Sequence, residues 1–162
     1  MRAIAVLVLL LCMSPAQAGT RAYLMNGLLG EALTGAAMNE LATKFRGRGA
    51  EVVIGSWAQV ASFTADACEH RADHIVIVGH SLGALGAAKM ATGVRACGAR
   101  SVHVVMVDPP VNSSVGGGNA VNFVGSFGGK ISGAKNIPVS GHGHIDIMYD
   151  ERMQGRILQA AH

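Results

Sequence analysis

His74-Ile75-Val76-Ile77-Val78-Gly79-His80-Ser81-Leu82-Gly83 runs directly into the small-residue stretch Ala84–Ala91. An apolar, β-branched run of this kind reads as a buried strand, and the small residues after it read as a helix that packs closely. Between them the chain has only a tight turn, with Ser81 at its apex. The turn lifts a hydroxyl clear of the sheet edge and aims a helix N-terminus at it. Gly79 and Gly83 are required because a Cβ at either position would collide with the neighbouring strand or helix. With 22 glycines in the chain, a Gly-X-Ser-X-Gly match alone carries little weight. The strand before it and the helix after it give it meaning as a nucleophile elbow.

Working outward, the same alternation recurs. Arg21–Met25 reads as a short strand that stops at Asn26-Gly27. Residues Ala32–Phe45 carry Leu33, Ala36, Ala37, Leu41 and Phe45 at helical spacing, and Gly47 and Gly49 end the run. Glu51–Ile54 is expected as a strand, Ala58–Arg71 as a helix, His74–Val78 as a strand and Leu82–Ala96 as a helix. Ser101–Val107 follows as a strand, halted by Asp108-Pro109-Pro110. Val111–Asn119 is an aperiodic Gly/Ser/Asn loop. Ala120–Phe127 and Asn136–Val139 read as two more strands, and Asp150–Ala160 as a closing amphipathic helix. Continuous Val/Ile runs alternating with helices imply an α/β fold: a mostly parallel sheet of about six strands, buried on both faces. Nothing divides residues 19–162 into more than one domain, and no insertion is long enough for a lid domain. In such sheets ligands sit at the carboxyl ends of the strands. Asn26-Gly27-Leu28, Ser81, Asp108 and the His142/His144 loop all fall there.

Residues 1–18 read as a secretory signal peptide. Arg2 is the basic n-region, Ile4–Leu11 the apolar h-region and Ala16-Gln17-Ala18 the small-residue cleavage site. The apolar run is shorter than the about 20 residues a membrane span needs, so an exported, periplasmic or secreted protein without a stable membrane anchor is expected. Cys68 and Cys97 are the cysteines beyond this leader. An oxidising compartment permits a bridge between them. If the two helices that carry them cover one face of the sheet, their C-terminal ends are neighbours. The alternative is two buried thiols. The net charge of +3 is mild, and the basic residues form no stripe interleaved with aromatics, which argues against a nucleic-acid partner.

A serine hydroxyl becomes a nucleophile when a base takes its proton, and the base needs a third group to hold it. His144, which leads into the apolar anchor Ile145-Asp146-Ile147-Met148, is the preferred base over His142, which lies between two glycines. Asp108, at the end of the next strand, is the expected acid, in the order Ser81, Asp108, His144. The backbone N–H groups of Leu28 and Leu82 are the expected oxyanion donors, with Leu29 and His80 lining the substrate site. His142 and His144 at i, i+2 make a poor metal site, so neither a metal nor another cofactor is expected.

These residues resemble the α/β-hydrolase family and, within it, the lipases. Gly79-His80-Ser81-Leu82-Gly83-Ala84 looks like a lipase elbow, and Val107-Asp108-Pro109 is similar to the acid-bearing strand end of pancreatic-type lipases. Gly133–Tyr149, through Gly141-His142-Gly143-His144-Ile145, resembles the end of the smallest lidless bacterial lipases. There the position of His144 is the catalytic histidine. Two departures stand out. Gly125-Ser126-Phe127-Gly128-Gly129, where those small lipases carry the acid, has no carboxylate, which moves that role to Asp108. Their His-Gly after the first strand is Asn26-Gly27 here. The resemblance implies a monomeric serine hydrolase acting on small-molecule carboxylic esters through an acyl-enzyme. The alternatives are an acyl thioesterase and a catalytically silent binding domain of the same fold.

Overall fold

The computed structural model describes residues 19–70 and 72–162, so the expected signal peptide, residues 1–18, lies outside the described residues. The chain runs β1 (Thr20–Asn26), α1 (Gly30–Arg46), β2 (Glu51–Ser56), a 3-10 turn (Trp57–Gln59), α2 (Val60–His70), β3 (His74–His80), α3 (Leu82–Ala96) and β4 (Ser101–Val107). It continues through β5 (Ser113–Ser114), β6 (Asn119–Val124), β7 (Ile131–Ser132), β8 (Lys135–Pro138), a 3-10 turn (Asp146–Met148) and α4 (Glu151–Ala160).

Six of these strands form one parallel sheet in the order β2-β1-β3-β4-β6-β8, and β5 pairs with β7 separately. From β1 the chain steps outward to β2, then crosses back over β1 to β3 and moves steadily the other way. Right-handed crossovers in opposite directions place their helices on opposite faces. Accordingly α1 covers one face, together with α4, and α2 and α3 cover the other. The period-2 alternation of the strands serves both layers. Leu24, Val76, Val78, Val105 and Val107 pack toward α1 and α4. Tyr23, Met25, Ile75, Ile77, Val104 and Met106 pack toward α2 and α3. Each such side chain, fully buried, contributes roughly 1.5–3 kcal/mol of transfer free energy, so the central strands are held from both sides. The reversal of direction between β1 and β3 opens a crevice at their carboxyl ends.

Local chemistry sets the ends of the elements. Gly47 follows α1 after Lys44 and Arg46, cations that suit a helix C-terminus. Asp150 caps α4, its side chain accepting from the Met153 N–H at 2.7 Å. Three expectations need correction. The strand expected over Ala120–Phe127 ends at Val124, because the chain at Gly125 turns against Asp108. The helix expected from Ala58 begins at Val60, after the 3-10 turn, and is described to His70. The aperiodic loop after Asp108 contributes β5, and with β7 it does the work of a crossover helix: Val115 and Ile131 bury themselves in the α2/α3 layer.

Candidate active site

Ser81 sits between β3 and α3 with φ 59° and ψ −125°, a region that side-chain-bearing residues rarely adopt. Strain of this kind costs about 1–3 kcal/mol and persists only where the surroundings impose it. Here the surroundings are close. A Cβ on Gly79 would lie 2.0 Å from the Gly83 carbonyl oxygen, and one on Gly83 would lie 2.1 Å from the Met25 carbonyl oxygen. The elbow's glycines therefore let α3 start directly on β3 and against β1. Ser81 N–H still donates to the Val107 carbonyl at 3.0 Å, which extends the β3–β4 ladder while the hydroxyl turns outward.

Asp108, at the end of β4, behaves similarly. Its N–H donates to the Phe123 carbonyl at 2.8 Å, and its φ of 46° turns the carboxylate off the sheet. The group is fully buried. A buried carboxylate needs donors, and three surround it. His144 Nδ1 donates to Oδ2 at 2.8 Å, the Phe127 backbone N–H donates to Oδ1 at 3.0 Å, and the Ser126 hydroxyl donates to Oδ2 at 3.3 Å. Gly125 makes the approach possible: a Cβ there would stand 2.7 Å from the Asp108 carboxyl carbon. The carboxylate-free stretch Gly125–Phe127 is thus the cradle of the Asp108 carboxylate, which stands one strand earlier.

His144 is held on both sides. The Phe127 ring stacks on it with centroids 3.7 Å apart and planes 18° apart, and the His80 ring lies 4.5 Å away on centroids. His80 is only 2 % exposed, and its Nε2 lies 2.8 Å from the His144 carbonyl. A carbonyl only accepts, so Nε2 carries the proton in this bond. Burial pushes His80 down to about 4, which keeps the ring neutral at ordinary pH. His80 lines the cleft beside Ser81, and its ring also supports the His144 loop from beneath.

Ser81, Leu82, His144, Leu28, Leu29 and Phe127 share one largely apolar cleft of about 410 Å³. Among the described residues no hydrogen bond joins Ser81 Oγ to His144; such bonds often tighten only with substrate in place. Leu82 is the first residue of α3, where the N–H has no intrahelical acceptor. Leu28 lies in the turn that Gly27 brings against Ser81; a Cβ on Gly27 would come within 2.7 Å of the Ser81 Cβ. Neither the Leu28 nor the Leu82 N–H has a backbone partner among the described residues. Leu29 takes a left-handed conformation with φ 53°, which turns its side chain outward, 71 % exposed. His142 does not line the cleft.

At the other end of the molecule Cys68 and Cys97 form a disulfide, with Cα atoms 5.9 Å apart, across the C-terminal ends of α2 and α3. Among the described residues there is no cluster of three or more His, Cys, Asp or Glu fit for a metal ion, and no helix long and apolar enough to cross a membrane. Sequence reasoning missed the strained φ of Asp108 and the parts played by Gly125, Ser126 and Phe127. Their glycine-rich run reads only as a loop. No curated protein matches this chain. A family model does: that of the alpha/beta hydrolase family, over residues 18–156.

Proposed function

Because the chain belongs to the alpha/beta hydrolase family, we propose that it is an exported serine hydrolase that cleaves small carboxylic esters. The observation that carries this reading is the bond from His144 Nδ1 to the buried Asp108 carboxylate, on the same cleft as the strained Ser81. In the proposed reaction Ser81 Oγ attacks the acyl carbon as His144 Nε2 takes its proton. Asp108 fixes the Nδ1–H tautomer and stabilises the imidazolium that forms. The oxyanion receives hydrogen bonds from the Leu28 and Leu82 N–H groups. His144 then protonates the departing alcohol oxygen, and water, activated by the same base, releases the acyl group from Ser81. The cleft is short and apolar, with Leu28, Leu29 and Leu33 exposed along it, which favours short or medium acyl groups. Export is supported by the leader-like residues 1–18 and by the Cys68–Cys97 bridge, which an oxidising compartment sustains.

A fluorophosphonate probe tests the nucleophile. The wild-type protein takes up one label and Ser81→Ala none, and the wild type alone hydrolyses p-nitrophenyl esters, with rates that fall as the acyl chain lengthens. A wild-type protein that neither labels nor hydrolyses any ester in the series overturns the proposal, as does equal labelling of Ser81→Ala.

A further inference from the structure

A second, larger cleft of about 730 Å³ lies beside the first, over the carboxyl ends of β1 and β2, and the two share the turn Gly27–Gly30. Its chemistry differs from that of the first. Trp57, the chain's one tryptophan, stands 42 % exposed on it. Around Trp57 stand Asn26, Glu31, Asn39, Ser56 and Gln59. Asn26 is the informative member. Its side chain is only 6 % exposed, and its Oδ1 accepts the Thr34 hydroxyl at 2.8 Å. Its NH2 has no partner among the described residues. The NH2 opens onto the cleft, so a ligand that fills the cleft must offer it an acceptor or leave it desolvated. Gln59 Oε1 accepts the Ser56 N–H at 2.9 Å, and its NH2 is likewise unpartnered. The Glu31 carboxylate forms no ion pair among the described residues.

We propose that this cleft binds a neutral carbohydrate, so that the substrate is an O-acylated sugar lying across both clefts; this rests on the ester-hydrolase reading above. A sugar ring has an aliphatic C–H face that packs on an aromatic ring and a rim of hydroxyls that both donate and accept. Trp57 offers the platform. The amides of Asn26, Asn39 and Gln59 supply donors and acceptors, and Glu31 accepts. A lipid tail in this cleft would leave the Asn26 NH2 and Glu31 desolvated without partners. A phosphorylated ligand would face Glu31 with no Lys or Arg on the cleft to offset it. In the reaction the acyl carbon–O(sugar) bond breaks as the bond to Ser81 Oγ forms. The sugar oxygen leaves with the proton held by His144. Water then adds to the acyl carbon, releasing a carboxylic acid and restoring Ser81.

Since Trp57 is the sole tryptophan, its emission reads occupancy of this cleft directly and independently of catalysis. Wild-type protein is titrated with glucose, galactose, xylose, N-acetylglucosamine and cellobiose, and a saturable change with at least one is expected. In parallel, kcat/KM is compared for butyrylated glucose and p-nitrophenyl butyrate. Trp57→Ala should lower the sugar-ester to alkyl-ester ratio about tenfold, mainly through KM, with Trp57→Phe restoring most of it. No saturable change across the panel, or a ratio that Trp57→Ala leaves unmoved, overturns the proposal. If the ester-hydrolase reading fails instead, the alkyl ester is not hydrolysed and Ser81 takes no fluorophosphonate, whereas the emission titration still reports on the sugar.

Discussion

The two ends of the central sheet are built on opposite principles. At the carboxyl end Leu29, Ser81 and Asp108 all have positive φ, two backbone N–H groups are left open to a cleft, and large apolar side chains stand in solvent. At the amino end the chain is tied down. The Cys68–Cys97 bridge joins α2 to α3. Arg21 at the start of β1 pairs with Asp66 of α2 and with Glu51 of β2, and the Tyr23 hydroxyl donates to Asp66 at 2.6 Å. Strain concentrates where chemistry is proposed and cross-links where it is not. A domain of this size has only a modest net stability, on the order of 5–15 kcal/mol, so a few strained residues at one end need secure packing elsewhere.

Substitutions can break this contrast in either direction. Asp108→Asn keeps the shape of the acid but removes its charge and its hold on the His144 tautomer. It should lower kcat by about 10⁴-fold, by the behaviour of comparable triads, with a far smaller change in melting temperature. Stopped-assay kinetics beside thermal melts check both halves, and an active Asp108→Asn protein would place the acid elsewhere. The double change Cys68→Ser with Cys97→Ser should do the reverse. Opening a link with a sequence separation of 29 costs about 3–4 kcal/mol in the chain-entropy description, read by urea unfolding, while kcat stays near wild type. A large loss of kcat in the folded double variant would mean that the two ends are coupled.

His80 gives the smallest and most local effect. Its ordinary value of 6.5 is lowered to about 4 in the fold, chiefly by burial. Above pH 6.5 neither state of the chain binds this proton. As pH falls from 6.5 to about 4 the unfolded chain takes it up and the native state does not, so stability falls through that window and levels off below it. The effect is on the order of 3 kcal/mol, and His80→Gln should remove it from the pH dependence of unfolding. If the two proteins show parallel pH profiles, His80 is not the group responsible. The same substitution keeps a donor toward the His144 carbonyl, so it separates the support role from the titration.

The sequence revealed the elbow because everything that shapes it is local. Val/Ile residues, two obligatory glycines and a small-residue helix lie within a few positions of Ser81. The pairing of Cys68 with Cys97 was legible only in part: the sequence allowed a bridge or two buried thiols, and the structure joins them across the ends of α2 and α3. Other features were not. Asp108 reads as the stop of an Asp-Pro turn, and nothing near it signals a positive φ. The residues that hold it, Ser126 and Phe127, come 18 and 19 positions later, from a glycine-rich run with no periodicity.

What the sequence by itself determined is the alternation of buried strands and helices, hence the parallel sheet and the edge on which Ser81, Asp108 and His144 stand. These follow from side-chain period and from turn residues, which act over short distances along the chain. Only the tertiary structure decided which groups touch. Asp108 and His144 stand 36 positions apart in the chain, and the strands and loops between them follow a course set by packing that no local pattern encodes. That packing brings Phe127 and His80 to the two faces of His144. It also turns Trp57 and the amide of Asn26 toward a single cleft.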